Sequence, residues 1–236
     1  MSEPVDVVLV PGFWLGGWAW DGVVPFLEQL RLRPHPVTLP GREPHGPTPR
    51  VTLEHQIATV REVVAGTGGK VLLVGHSGGV TVVNGYADTE PERVAGMVFV
   101  DDAPLPDGGT FAVDVPRRAP GLPLPPWSEL AQMGLSPTGL DAHTREVVRD
   151  LAAAEPAGVL TSTARLRNPR RKDIPVTMVC TSMPAATVQD AITAGAPFTE
   201  ELAGRDLMLL DMPTGHWPMF SRGEDLAHAI ALAARR

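Results

Sequence analysis

The sequence predicts an α/β fold in which a mostly parallel sheet is flanked by helices. Short apolar runs of strand length alternate along the chain with longer stretches of helical periodicity. Residues 71–74 and 94–100 are apolar almost without interruption, as is typical of strands buried on both faces. A chain of 236 residues is also long enough for one well-packed core. We therefore predict a single domain over residues 1–236.

Composition and charge narrow the classes of function. The net charge is −7, and no excess of lysine and arginine favours nucleic acid or an anionic membrane surface as a partner. The single cysteine, Cys180, cannot form an intramolecular disulfide, which suits a reducing compartment. The N-terminus lacks the pattern of a signal peptide, and the apolar runs are too short to span a membrane. We expect a cytoplasmic protein that acts on a small molecule; the oligomeric state stays open.

The first part of the chain contains two predicted strands and two predicted helices. Residues 5–10 are rich in β-branched side chains and end at Pro11-Gly12, which predicts a strand. A helix is predicted over residues 20–30, a short strand around 36–39, and a loop rich in Pro and Gly over 40–49. Thr52 is a candidate cap for the next helix, whose apolar face is formed by Leu53, Ile57, Val60 and Val64.

The remaining strands follow at regular intervals. The strand over residues 71–74 leads into Gly75-His-Ser-Gly-Gly79, after which a helix is predicted. The strand over 94–100 ends at Asp101-Asp102, and two further strands are predicted over 176–180 and 207–210. In the last helix, Ser221 and Glu224 have the spacing of a capping box.

Residues 103–168 interrupt this alternation. The first part of this stretch contains many prolines, too many for a helix or strand interior: Pro104, Pro106, Pro116, Pro120, Pro123, Pro125 and Pro126. Its second part, near residues 140–154, has helical character. We interpret the stretch as a small cap excursion over the strand ends, not as a separate domain.

The residues most indicative of chemistry are Ser77 and His216. Gly75-His-Ser-Gly-Gly79 matches the pattern G-x-S-x-G, and its position between a buried strand and a helix is what a strained nucleophile turn requires. A serine hydroxyl needs a base to take its proton, and His216 lies in the loop after the last predicted strand. The other histidines fall in Pro-rich loops, on predicted helices or within the serine motif: His35, His45, His55, His143, His228 and His76.

The order of several motifs gives the chain a family resemblance. These are Val10-Pro-Gly-Phe-Trp14, Gly16-Gly-Trp18, Gly75-His-Ser-Gly-Gly79, Val98-Phe-Val-Asp101 and Gly215-His-Trp217. In this set the chain resembles the α/β-hydrolase family, and within it the compact esterase and hydroxynitrile-lyase-like branch. The resemblance implies a cap excursion after the sixth strand of that fold, about residues 103–168. It also implies no cofactor and no metal.

The resemblance assigns roles to individual residues. Ser77 would be the nucleophile, His216 its base, and the backbone N–H groups of Phe13 and Gly78 the oxyanion hole. Where the family usually has His-Gly, this chain has Pro11-Gly12. Trp14, beside the oxyanion loop, and Trp127, in the excursion, are candidate substrate-binding residues, although core packing is an equal alternative for Trp14.

The triad acid is open between three aspartates. Most members of the family place it after the strand that is here 176–180, but residues 181–185 contain no carboxylate, and Asp190 follows only later. The alternative position in this fold follows the preceding strand, which ends in Asp101-Asp102. We favour Asp101, with Asp102 and Asp190 as the alternatives.

The predicted activity is hydrolysis of a small, largely apolar ester or related acyl compound through an acyl-enzyme intermediate. The alternatives are a hydroxynitrile-lyase-like enzyme, a lyase or hydrolase of carbon–carbon bonds, or a slow-turnover ligand receptor on the same fold. The lyase branch usually relies on a lysine near the acid, and the only lysines are Lys70 and Lys172.

Overall fold

The computed structural model describes residues 4–43, 50–111 and 121–236 and contains a parallel six-stranded sheet. The order of strands across the sheet is β2-β1-β3-β4-β7-β8, and every neighbouring pair runs parallel. The strands are β1 (Val5–Val10), β2 (Leu32–Pro36), β3 (Val71–His76), β4 (Val94–Val100), β7 (Val176–Cys180) and β8 (Leu207–Asp211). The predicted α/β fold with a mostly parallel sheet is confirmed.

Helices connect these strands on both faces of the sheet. The α-helices are α1 (Val24–Gln29), α2 (Leu53–Ala65), α3 (Gly78–Thr89), α4 (Trp127–Gln132), α5 (Ala142–Leu151), α6 (Ala157–Leu160), α7 (Ala185–Thr193), α8 (Pro218–Ser221) and α9 (Gly223–Ala233). Short 3₁₀ helices occupy Gly17–Trp20, Pro91–Arg93, Pro169–Asp173 and Pro197–Thr199. Within the described ranges, none of these helices has the length and apolar character needed to cross a membrane.

The alternation of side chains along each strand supplies two apolar cores. In β1, Val7 and Leu9 face the core formed with α1 and α9, whereas Val8 and Val10 face the core formed with α2 and α3. All four side chains are fully buried. This explains why the central strands are apolar in sequence without a polar face, as expected for a sheet covered on both sides.

The predicted excursion lies between β4 and β7. It contains α4, α5, α6 and a small antiparallel pair formed by β5 (Gly121–Leu122) and β6 (Glu155–Pro156). The helical character near residues 140–154 corresponds to α5. Pro116 and Pro120 of the proline-rich part lie outside the described residues, as do residues 44–49 of the predicted Pro/Gly loop.

Three local predictions differ from the structure. The strand expected around 36–39 is β2, which ends at Pro36, although Val37 N still donates to Leu9 O at 3.0 Å. The helix expected over 20–30 is divided between a 3₁₀ turn and α1, which begins with Pro25 in its first turn, because proline is tolerated only there. The predicted capping box is also wrong. Ser221 ends α8, and its Oγ contacts Thr214 Oγ1 at 2.9 Å instead of capping α9.

A close approach between α3 and the end of β1 brings the two functional loops together. A Cβ on Gly79 would lie 2.6 Å from Pro11 O and 2.7 Å from Val10 O, so an alanine at this position would force the two backbone segments apart.

We expect Gly79→Ala to lower the free energy of unfolding by about 1–3 kcal/mol, because a larger side chain in a well-packed core costs about this much. Denaturant unfolding measures the change. Gly68→Ala is the matched control, because no atom lies within 4 Å of its added Cβ, and an equal loss in both variants would contradict the prediction.

Candidate active site

Ser77 occupies a strained turn between β3 and α3. Its φ of 49° and ψ of −129° are unusual for a residue other than glycine, and its backbone N donates to Val100 O of the neighbouring strand at 3.1 Å. Because β3 ends at His76 and α3 begins at Gly78, the serine projects from the carboxyl edge of the sheet at a helix N-terminus. The side chain is half-buried at this edge.

His216 and Asp101 meet at the same edge of the sheet. His216 Nδ1 lies 2.8 Å from Asp101 Oδ2, and both side chains are almost fully buried. Asp101 directly follows β4 with a φ of 55°, and its N donates to Val179 O at 2.9 Å. With Nδ1 bonded to the carboxylate, Nε2 is the nitrogen of His216 that is left to exchange a proton with another group.

The loop after β7 holds the carboxylate of Asp101 from the other side. Asp101 Oδ1 accepts from Thr181 N at 3.0 Å and from Ser182 N at 2.7 Å, while Ser182 Oγ donates to Oδ2 at 2.7 Å. Burial alone would raise the pKa of Asp101, but the bonds from His216 and Ser182 outweigh it and lower the pKa to about 2. Asp101 is therefore an anion at neutral pH.

The other two candidate aspartates differ from Asp101 in position. Asp102 is exposed, and its Oδ1 accepts from the N of Ala103 at 2.8 Å. Asp190 is an exposed residue of α7. Of the three, only Asp101 contacts the imidazole of His216.

The loop that contains His216 is fixed on two sides. His76 Nε2 donates to His216 O at 2.8 Å, and the two rings lie 4.8 Å apart between centroids. Burial and the neighbouring His216 lower the pKa of His76 to about 3, so His76 is neutral and its proton is on Nε2. From the excursion, Ser136 O accepts from His216 N at 2.8 Å and Thr138 O accepts from Gly215 N at 3.2 Å.

The two predicted oxyanion donors are neighbours in space. A Cβ on Gly78 would fall 2.4 Å from the ring of Phe13, and one on Gly12 would fall 2.9 Å from Ser77 Cβ. The loop after β1 therefore lies directly against the serine turn. Among the described residues, neither Phe13 N nor Gly78 N donates to a protein acceptor, so both groups are available to a ligand.

Aromatic side chains surround the serine turn, and the two predicted substrate-binding tryptophans lie differently. Trp14 is only 4% exposed and belongs to the core, with its indole Nε1 donating to Leu122 O at 3.0 Å. Trp127 is half-buried at the start of α4 and packs edge-to-face on Trp217, next to His216, at 5.3 Å between centroids. Phe13 makes a similar contact with Phe111 at 4.8 Å.

The described residues also bear on two other kinds of reactive site, a cysteine nucleophile and a metal centre. Burial raises the pKa of the Cys180 thiol to about 12, so it is not a thiolate near neutral pH. No group of three or more His, Cys, Asp or Glu side chains within the described ranges is arranged to hold a metal ion.

A family model described as "Alpha/beta hydrolase family" matches residues 7–229. The chain therefore belongs to the alpha/beta hydrolase family, and the resemblance inferred from its motifs is confirmed. A pyrethroid hydrolase of Sphingobium wenxiniae is 33% identical over 97 residues, which are 40% of this chain and 35% of that protein. A carbendazim-hydrolyzing esterase of Nocardioides sp. is 31% identical over 121 residues, 49% of each chain. The aligned segments thus span half or less of these relatives.

Solved structures of the same fold superimpose over nearly the whole chain. A methylesterase from Arabidopsis has a TM-score of 0.79 at 16% identity, covering 98% of this chain and 99% of that one. An extracellular alpha/beta-hydrolase from a Paenibacillus species has a TM-score of 0.78 at 18% identity, covering 99% and 100%. A pyrethroid hydrolase from Sphingobium faniae has a TM-score of 0.72 at 22% identity, covering 98% and 97%. At these identities the likeness shows the fold.

Sequence reasoning missed the residues that support the predicted site. Ser182 supplies two of the bonds to Asp101, and the only signal for it was the missing carboxylate after β7. The sequence analysis gives His76 no role beyond its place in the serine motif, yet its ring connects the serine turn to the loop of His216.

Proposed function

We propose that this protein is a cofactor-free serine hydrolase that cleaves small, largely apolar esters through an acyl-enzyme intermediate. The observation that supports it best is the hydrogen bond between His216 Nδ1 and the buried anion of Asp101, formed beside the strained turn of Ser77. The strands β3, β4, β7 and β8 are consecutive in the sheet, and the loops after them lie at one edge. These loops contain, in the same order, Ser77, Asp101, Ser182, which bonds to Asp101, and His216.

The proposed reaction begins with attack of Ser77 Oγ on the ester carbonyl carbon. His216 Nε2 takes the hydroxyl proton, Asp101 stabilises the imidazolium, and Phe13 N and Gly78 N stabilise the negative charge on the former carbonyl oxygen. Collapse of the tetrahedral intermediate breaks the bond to the alkoxy group, which leaves as an alcohol with the proton from His216. Water then attacks the acyl-serine with His216 again as base, releasing the carboxylic acid and restoring Ser77.

Three relatives or neighbours have names that describe ester or related hydrolysis. They are the pyrethroid hydrolase, the carbendazim-hydrolyzing esterase and the Arabidopsis methylesterase. The aromatic pairs near the site, Phe13 with Phe111 and Trp127 with Trp217, suit an apolar acyl or alcohol group. We further expect one domain over residues 1–236 that acts on a small molecule in the cytoplasm, without nucleic acid or membrane as partners.

The lysines argue against hydroxynitrile-lyase-like chemistry. Lys70 precedes β3 and so lies at the amino end of that strand, opposite the edge that holds Ser77. Lys172 lies in the 3₁₀ helix Pro169–Asp173, where its Nζ donates to Glu200 O at 3.3 Å. Neither lysine is near Asp101 and Ser182, where a cation would be needed to act on a cyanide leaving group.

A direct test is hydrolysis of p-nitrophenyl esters from acetyl to decanoyl, combined with labelling by a fluorophosphonate. We expect ester turnover and a single label on Ser77, located by mass spectrometry of peptides, because only this serine is predicted to be activated by a histidine. Ser162→Ala is the matched control and should be labelled and active like the wild type, since Ser162 Oγ is bonded only to backbone groups, donating to Gly158 O and accepting from Leu53 N. Absence of turnover, or labelling at another residue, would refute the proposal.

A further inference from the structure

A fully buried ion pair connects the loop after β2 to the excursion. Arg42 follows a turn in which its N donates to Leu39 O at 3.2 Å, and Glu155 opens β6. Arg42 Nε donates to Glu155 Oε2 at 2.9 Å, and Nη2 lies 2.7 Å from the same oxygen. Neither side chain has any exposed area. Because two buried charges have lost their hydration, they need hydrogen-bond partners within the protein for their remaining polar atoms.

The third nitrogen of the guanidinium binds the loop after β1. Arg42 Nη1 donates to Gly12 O at 2.8 Å, to Leu15 O at 3.2 Å and to Pro11 O at 3.3 Å. This loop carries Phe13, the predicted oxyanion donor. A single cation thus determines the direction of three carbonyl groups around that donor.

The orientation of the Gly12 carbonyl determines the orientation of the Phe13 N–H. Both groups belong to one planar trans peptide, in which C=O and N–H point in opposite directions, and the described chain has no cis peptide bond. Because Arg42 draws Gly12 O to one side, Phe13 N–H points to the other. Ser77 lies against Gly12, because a Cβ added to Gly12 would fall only 2.9 Å from Ser77 Cβ.

Glu155 accepts a hydrogen bond from the next N–H along the loop, that of Trp14. Trp14 N donates to Glu155 Oε2 at 3.4 Å, which turns this group toward the buried carboxylate and away from a ligand. Trp14 adopts a φ of 67° to make this contact, and its O accepts from Ala153 N of the excursion at 3.0 Å. Gln56 Nε2 donates to the other carboxylate oxygen at 3.3 Å.

We propose that Arg42 and Glu155 are positioning residues that align the Phe13 N–H with the oxyanion. Through the same ion pair, this alignment depends on the position of the excursion against the loop after β1. The proposal rests on the proposed function, since it assigns these residues to the oxyanion loop of that same reaction. Neither residue touches the substrate. The predicted effect is therefore on stabilisation of the transition state and not on binding of the ester itself.

The decisive variant is the double replacement Arg42→Met/Glu155→Met. It removes both charges together, so that no buried charge is left without its partner, and it keeps similar side-chain volumes. We expect kcat for a p-nitrophenyl ester to fall about 10²-fold, as for loss of one oxyanion donor, while KM changes less than about threefold. The affinity for a trifluoromethyl ketone, which mimics the tetrahedral intermediate, should weaken by about the same factor as kcat.

Two further variants separate positioning from general stability. The control Arg171→Met/Glu201→Met disrupts another group of buried charges, in which Arg171 Nη2 lies 2.7 Å from Glu201 Oε1, near the C-terminal end of α3 and away from Ser77. Because Arg205 and Asp88 then lose these partners, this control tests whether a loss of stability alone lowers kcat. It should leave kcat per active site unchanged, with active sites counted by the end point of fluorophosphonate labelling. If the double Met variant does not fold, Arg42→Lys is the alternative. Lysine retains the positive charge but lacks the planar guanidinium with its several fixed donors, so this variant should lower kcat about tenfold.

The outcomes are distinct. Unchanged kcat and unchanged ketone affinity in the variant at Arg42 would overturn the proposal, and so would an equal loss of kcat in the Arg171 and Glu201 control. Failure of the proposed function would be visible in the wild type, which would then neither hydrolyse esters nor react with the fluorophosphonate.

Discussion

Ser77→Ala and His216→Ala are each expected to lower kcat/KM for ester hydrolysis about 10⁴-fold or more, and the double variant little further. His216 is the proposed base for the serine hydroxyl, and it is held by Asp101 on Nδ1 and by His76 at its carbonyl. Because the two residues would act as one unit, loss of either removes the same step, and their effects are not additive.

Kinetics of the two single variants and the double variant decide this prediction. Thermal unfolding of all three variants separates loss of the catalytic group from loss of the fold, because the buried ring of His216 also packs against His76 and Trp217. His228→Ala is a suitable control for histidine loss, because His228 is exposed on α9 and contacts only Glu224 O of its own helix, at 2.9 Å. Additive losses in the double variant would show that His216 is not the partner of Ser77.

Asp101→Asn is expected to lower kcat about 10³- to 10⁴-fold. Asparagine has nearly the same shape, but it cannot stabilise an imidazolium and can present an N–H to His216 Nδ1, which favours the wrong tautomer. The carboxylate now receives hydrogen bonds from Thr181 N, Ser182 N and Ser182 Oγ, all of which require an acceptor. Steady-state kinetics of Asp101→Asn, Asp102→Asn and Asp190→Asn compare the three candidates directly.

The other two aspartate variants serve as controls and should lose about threefold or less. Near-native turnover of a folded Asp101→Asn together with an inactive Asp190→Asn would place the acid after β7 instead.

The stability of the protein at low pH gives an independent test of the role of Asp101. The pKa of Asp101 lies near 2 in the folded chain against 3.8 ordinarily, so its stabilising effect is present above about pH 4 and is lost as the pH falls toward 2. Asp101→Asn should lack this component of acid unfolding.

The sequence predicted best those features that depend on local pattern. The apolar runs of β3 and β4 located two central strands, because burial on both faces leaves no polar position in them. The predicted position of β2 is several residues too late, because Arg33, His35 and the two prolines within the strand, Pro34 and Pro36, conceal it in sequence. Pairing with β1 on one side only tolerates such residues, as edge strands generally do.

Within the candidate site, proximity to a strand end was the informative signal. Ser77, Asp101 and His216 each follow a strand, and parallel strands bring such positions to one edge. What could not be predicted depends on contacts between distant segments. Arg42 and Glu155 are separated by 113 positions, and in sequence each is an ordinary charged residue in a loop. Only the folded chain shows that both are buried.

We also expect the Arg42–Glu155 pair to limit how a substrate can enter. If β6 moved away from the loop after β1, an arginine and a glutamate would be separated within apolar surroundings, which costs about 3–5 kcal/mol when one partner of such a pair is lost. A conformation with this region open would then be populated about 10²- to 5 × 10³-fold less than the closed one. Entry and product release are accordingly expected to depend on motions of other parts of the excursion. We therefore expect the segment around Glu155 to stay fixed against the loop after β1 when a ligand enters.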